Sequence, residues 1–230
     1  MTLFTNISNL VTVNANGAPY KTGEAMRDLG VIEDGAVLFD KTIKRVGTAE
    51  EAASWPEEKE GRYEEVDCSG QVVMPGWVDS HTHIVFAGSR ANEFARRLAG
   101  VPYTEIAKEG GGILTTMKAV REAPVAEIAA IGDDLMQSAI EHGTTTMEVK
   151  SGYGLTTDSE LKLLEAAQAL KDEAPIDLHL TFLGAHAIPP EYRDNPDAYV
   201  DIVINEMLPK VIEQGYASAC DVFIDEGFFN

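Results

Sequence analysis

The hydrophobic pattern of the chain changes character near residue 73. Before that point the apolar positions alternate over short distances, the spacing of half-buried strands. Leu10-Val11-Thr12-Val13 alternates and then meets Asn14-Ala15-Asn16-Gly17, a cluster that predicts a turn. Residues 32–40 and 42–46 predict a hairpin around Asp40-Lys41. Two further short strands, 65–67 and 71–74, flank the turn Cys68-Ser69-Gly70. Residues 1–72 therefore predict a small β module.

From residue 73 onward apolar strands alternate with helical patterns, which predicts a parallel α/β domain over 73–230. Helices are expected at 91–98, 103–108, 113–122, 124–142, 158–173 and 197–214. The helix at 158–173 carries Leu161, Leu164, Ala167 and Leu170 along one stripe. Strands are expected at 144–153 and 176–184, and another begins at Asp221. In the strand 144–153, Met147 and Val149 share one face while Thr146, Glu148 and Lys150 share the other. If the apolar face packs on helices, the polar face lines the inside of a barrel. Buried charges need partners. Glu148 and Lys150 are then either a structural ion pair, or Lys150 is a carboxylated ligand bridging two metal ions.

The chemistry concentrates where the two patterns meet. Val73-Met74-Pro75-Gly76-Trp77-Val78-Asp79-Ser80-His81-Thr82-His83 is a strand ending in His-x-His. Residues two apart on a strand point the same way, so His81 and His83 present two imidazoles to one metal ion. Imidazole suits zinc and iron alike, and one divalent ion of either kind is expected. Asp79 shares that face and can support the site from behind. His186 follows a strand end and precedes Ile188-Pro189-Pro190, a rigid loop on the face where α/β barrels place their chemistry. His142, in a last helical turn before Gly143, reads as a cap, and His179, early in its strand, as a structural histidine. Arg90 is either a surface charge or a fork for a substrate carboxylate. Tyr153 lies between Gly152 and Gly154, where a ligand can come close to the backbone. Gly110-Gly111-Gly112 lacks the ending of a phosphate-binding P-loop and reads as a mobile loop.

Composition narrows the classes. The 230 residues have a formal net charge of −20, which argues against nucleic acid and against anionic membrane surfaces as partners. No apolar run approaches the roughly 18 residues of a membrane span, and the first residues lack the basic region of a signal peptide. Two cysteines without metal spacing suit a reducing cytoplasm.

Pro75-Gly76 followed by Asp79-x-His81-x-His83 resembles the amidohydrolase superfamily. Within it, four stretches resemble members that open an imidazolone ring in histidine degradation: 81–90, Gly110-Gly111-Gly112-Ile113, 148–155 and 182–192. The resemblance covers most of the chain from Val72 onward. It implies a partial TIM barrel of the metal-dependent hydrolase type with a small N-terminal β-sandwich module. It also implies hydrolysis of a cyclic amide and a homodimer in the complete enzyme. By the same likeness His81 and His83 are metal ligands, Arg90, Tyr153 and His186 contact a small-molecule substrate, His186 with a catalytic role, and Tyr103 lines the pocket. A third metal His, an acid/base Glu and a metal Asp are implied beyond Asn230, so these residues are expected to be an N-terminal portion that is not competent alone. A deaminase or dihydroorotase-like amidohydrolase is the alternative enzyme, and an inactive truncated fragment the non-enzyme reading.

Overall fold

The computed structural model describes residues 1–55, 63–225 and 229, apart from the side chains of residues 103, 107 and 108. The chain divides into two compact units, Met1–Pro75 and Gly76–Asn230.

The first unit is one mixed five-stranded sheet. Strand β1 (Thr2–Val11) pairs antiparallel with β2 (Val31–Phe39), and β2 pairs antiparallel with β3 (Ile43–Thr48), the hairpin expected around Asp40-Lys41. The short strands β4 (Glu64–Asp67) and β5 (Val72–Val73) both run parallel to β1. The β1–β2 register shifts between Phe4 and Ile7, where Asn6 takes a left-handed φ of 54° and Asp34 one of 49°. Asn and Asp tolerate that conformation better than other side chains, so the irregularity falls where the sequence permits it. Helix α1 (Ala49–Ala52) starts with a reciprocal cap, Thr48 accepting from the Glu51 N–H and Glu51 from the Thr48 N–H.

Both faces of this sheet are apolar. Leu3, Ala36 and Leu38 pack with Ala52 and Trp55, while Ile7, Leu10, Val37 and Cys68 pack with Phe4 and Phe39. Among the described residues there is one sheet layer, and the second layer of the expected sandwich is not seen.

The second unit is a four-stranded, wholly parallel sheet in the order β6-β7-β8-β9, formed by Trp77–Thr82, Thr144–Lys150, Asp177–Ala185 and Ala219–Val222. The connections contain helices α2 (Ala91–Leu98), α3 (Tyr103–Lys108), α4 (Ile113–Glu122), α5 (Val125–Glu141) and α6 (Thr157–Glu173). The faces divide as their alternation predicts. Met147, Val149, Leu178 and Leu180 are buried in one cluster with Ile128, Met136 and Leu163 from the helices. The opposite face carries Glu148, Lys150 and Thr181. Gly132 permits close approach of α5 to α6, since a Cβ there would lie 2.6 Å from Leu170 Cδ1.

Several boundaries differ from the sequence reading. The run expected as one strand over 73–83 is split into β5 and β6, with His83 one residue past β6, and β9 begins at Ala219 instead of Asp221. The strand expected to reach Tyr153 ends at Lys150, because Gly152 takes φ 107° and turns the chain into a loop. The helix expected over 197–214 is α7 (Pro196–Ile202), a π-helical turn (Val203–Met207) and α8 (Leu208–Gln214). Pro209 has no N–H for the regular ladder, and a widened turn before it accommodates the ring.

The two outer strands carry exposed apolar side chains: Trp77 and Val78 on β6 are 59% and 68% exposed, and Val222 at the end of β9 is 54% exposed. Stability rests on the covered strands. Leu180→Ala, at a fully buried position of β8, should cost about 2–5 kcal/mol. Ile212→Ala, at a position 71% exposed on α8, should stay within about 0.5 kcal/mol of the parent. Urea unfolding of the two variants measures the difference.

Candidate active site

Three histidines and a tyrosine from separate segments meet at the carboxyl end of the parallel sheet. His81 lies on β6 and His83 just past it. Their ring centroids are 5.6 Å apart at an interplanar angle of 69°. His186, after β8, stacks on His83 with centroids 4.8 Å apart and planes 7° from parallel. Tyr153 lies 4.9 Å from the His83 ring and 5.3 Å from the His186 ring. Thr82, facing away from the two histidines, donates its hydroxyl to the Glu148 carbonyl at 2.6 Å and ties β6 to β7.

A cavity of about 270 Å³ opens beside these rings, lined by His83, Phe86, Arg90, Thr116, Tyr153 and the Gly88-Ser89 backbone turn. Arg90 lies at the head of α2, is exposed, and makes no ion pair among the described residues. It is close enough to His186 for its positive charge to act on that ring. Tyr103 opens α3, and its side chain lies outside the described residues. Asp79 accepts from the His81 backbone N–H at 3.3 Å. His142 is the residue closing α5, with Nδ1 2.7 Å from the Ser138 carbonyl, as its cap position predicts. His179 is exposed on the polar face of β8.

The environment sets the protonation of the central rings. Burial, then the neighbouring His186 and His81, push His83 down to about 4. Burial likewise lowers His186, against the raising effect of its bond to the Gly152 carbonyl. At neutral pH both rings are therefore uncharged. Nδ1 of His83 is buried and has no hydrogen-bond partner. A buried lone pair on a neutral imidazole is what a metal ligand requires, and His83 offers one. Among the described residues no group of three or more His, Cys, Asp or Glu side chains gathers to hold a metal.

Next to the histidines, the polar face forms a charged network. Lys150 donates to Glu148 at 2.8 Å and to Asp221 of β9 at 2.9 Å, and Thr181 donates to Glu148 at 2.7 Å. Burial opposes every charge here. The two carboxylates nevertheless hold Lys150 above its ordinary value, and the Lys150 and Thr181 bonds hold Glu148 below its own. Lys150 thus sits between two carboxylates, the arrangement of the ion-pair alternative. Asp221 is a partner that sequence reasoning missed, since β9 is brought beside β7 only through β8.

Two more residues were not legible. Glu160, fully buried in α6, accepts from the N–H groups of Gly152, Gly154 and Leu155. Arg121 of α4 donates to the Gly154 and Leu155 carbonyls and to Glu191. Both lie on helices with no local sequence sign of a contact to the 152–155 loop.

No family model matches the chain. It is 45% identical to an imidazolonepropionase of Alkaliphilus oremlandii over 98% of this chain and 53% of that protein, and 48% identical to that of Alkaliphilus metalliredigens over 99% and 53%. An imidazolonepropionase of Shewanella frigidimarina is 53% identical over 70% of this chain. The chain spans about half the length of the curated relatives it matches. In fold it is similar to an atrazine chlorohydrolase of Arthrobacter aurescens crystallised with zinc (TM-score 0.53, 14% identity, 100% of this chain and 48% of that one). It is likewise similar to a 5-methylcytosine deaminase of Klebsiella pneumoniae liganded with 5-fluorocytosine (TM-score 0.52, 16% identity, 97% and 51%).

The lowered His83 value has a consequence for stability. The unfolded chain binds a proton on this ring near 6.5, the folded chain only near 4. Its contribution to stability is present above pH 6.5 and is lost as pH falls through that window to about 4. Chelator-treated protein should therefore lose stability between pH 6.5 and 4, and His83→Asn should flatten that part of the profile in urea titrations.

Proposed function

We propose that this chain, related by sequence to the imidazolonepropionases, is the N-terminal portion of a metal-dependent hydrolase. The reaction opens the cyclic amide of 4-imidazolone-5-propanoate to give N-formimidoyl-L-glutamate. The observation that carries this reading is the meeting of His81, His83, Tyr153 and His186 beside one cavity, in a chain 45–48% identical to imidazolonepropionases over nearly its whole length. The parallel sheet of residues 73–230 is read as the first part of a TIM barrel, its exposed outer strands being the places where further strands pair. The sheet within residues 1–72, apolar on both faces, is read as one layer of a small β-sandwich.

Each residue has a role in this reading. His81 and His83 hold one divalent ion, Zn or Fe, and the zinc in the Arthrobacter hydrolase supports the choice of a divalent metal. Such an ion supplies an activated water at neutral pH and polarises the ring carbonyl. Arg90, exposed at the cavity mouth and without an ion-pair partner among the described residues, grips the propanoate carboxylate through its planar fork. Tyr153 stands over the substrate ring from the loop after β7. His186, its Nδ1 turned to the Gly152 carbonyl, keeps Nε2 for the substrate, orienting the ring and stabilising charge that develops on it. Tyr103 is placed at the pocket by the family resemblance alone. A cytoplasmic homodimer is the assembly proposed, on the cysteine usage and on the same resemblance.

The direct test is decay of the imidazolone ultraviolet absorbance with the protein at its full natural length. Turnover supports the reading, and turnover of an aminopyrimidine with none of the imidazolone would favour a deaminase instead. His81→Ala and His83→Ala should each abolish metal retention, measured by elemental analysis, and full occupancy in both would remove the ligand assignment. Arg90→Ala should raise KM by the loss of about 1.5–3 kcal/mol of charged hydrogen bonding. Arg90→Lys should restore only part of this, because an ammonium lacks the fork.

A further inference from the structure

The loop between β7 and α6 carries Tyr153 and the carbonyl that holds His186, yet its own conformation is unfavourable. Gly152 takes φ 107°, and Leu155, a bulky residue, takes the left-handed φ 53°. A Cβ at Gly152 would lie 2.8 Å from the Leu183 carbonyl oxygen and 2.9 Å from His186 Nδ1. Such a loop persists only if its surroundings over-determine it.

Two side chains do so, one taking the backbone N–H groups of the loop and the other its carbonyls. Glu160 takes the N–H groups: Oε2 accepts from Gly152 and Oε1 from Gly154 and Leu155, all at 2.8 Å. Arg121 takes the carbonyls: Nε donates to Gly154 at 2.9 Å and Nη2 to Leu155 at 3.2 Å. The same Nη2 donates to Glu191 at 2.7 Å, in the segment that follows His186. Lys162, one turn along α6 from Ser159, donates to the Arg121 and Ala123 carbonyls and fixes the end of α4 from which Arg121 reaches. Gly152 is the junction. Its N–H is held by Glu160 and its C=O accepts from His186 Nδ1 at 2.8 Å.

We propose that Glu160 and Arg121 are a pair of positioning residues that fix the Tyr153 loop and, through Gly152 and Glu191, the His186 segment in the geometry that binds substrate. Neither touches the cavity. The proposal rests on the hydrolase reading above for what is bound, but the clamp itself is a property of this chain. A purely structural role would move folding stability. A positioning role also moves substrate binding without emptying the metal site.

Glu160→Gln separates the two. The glutamine keeps the shape of the side chain and one carbonyl oxygen, but its NH₂ group faces at least one backbone N–H that needs an acceptor. The experiment uses the protein at its full natural length and reads peptide-level hydrogen exchange, metal content and kinetics on imidazolone propanoate. The expected result is exchange at least about tenfold faster in segments 151–155 and 183–188, with the remaining segments and the metal content unchanged. KM should rise about tenfold or more with a smaller change in kcat. Arg121→Lys, which keeps the charge but loses the fork, should show the same pattern more weakly. Unchanged exchange in both segments, or faster exchange spread over the whole chain, would overturn the clamp. Faster exchange in the two segments with unchanged KM would overturn its link to substrate. If the parent protein turns over no imidazolone, the hydrolase reading fails, while the exchange pattern still decides whether Glu160 holds the loop.

Discussion

A carboxylate sealed from water is the constraint around which this site is arranged. Glu160 has no exposed surface, and burial raises its proton affinity. A buried carboxylate of this kind is stable only when donors converge on it, and here three backbone N–H groups do. Those donors belong to the loop that leaves β7, so satisfying Glu160 and shaping the loop are the same event. The left-handed Leu155 and the Gly152 turn follow from that requirement. Tyr153 projects from between them, and His186 hangs from the Gly152 carbonyl.

The same logic of paired burial runs across the sheet. One face of β7 and β8 gives Met147, Val149, Leu178 and Leu180 to the helices, where apolar burial stabilises the layer. The other gives Glu148, Lys150 and Thr181, joined to one another by hydrogen bonds. Lys150 is almost inaccessible and is compensated by carboxylates from two different strands. His83 and His186 stand next to this network and are held below their ordinary values, chiefly by burial. The two halves of the site feel each other's charge, Lys150 acting on His83 and Asp221 on His186, while His83 keeps a buried ring nitrogen without a hydrogen-bond partner.

Much of this was legible in the amino-acid pattern. The alternation of strands and helices after residue 73, the apolar and polar faces of 144–150, the pairing of Glu148 with Lys150 and the cap at His142 all rest on local period or local spacing. His81 and His83 are legible through the same alternation, although His83 lies one residue past β6. Some local features mislead. The pattern predicts a strand through Gly152 to Tyr153, although the loop there is held by Glu160. A regular helix was carried through Pro209, whose effect on the turn before it is absorbed by a π segment.

The sequence by itself determined the elements, the faces of the strands, the His-x-His pair and the four stretches that tie the chain to its relatives. These depend on interactions within a few residues, or on motif identity. Only the tertiary structure decided that His186 stacks on His83, that Asp221 completes the Lys150 pair, and that Glu160 and Arg121 grip one loop. Those contacts join residues from 5 to 103 positions apart, Leu155 to Glu160 and His83 to His186 being the extremes. Even the nearest of them depends on the chain reversing between β7 and α6. Their partners are set by the order in which strands lie side by side, and no periodicity along the chain records that order.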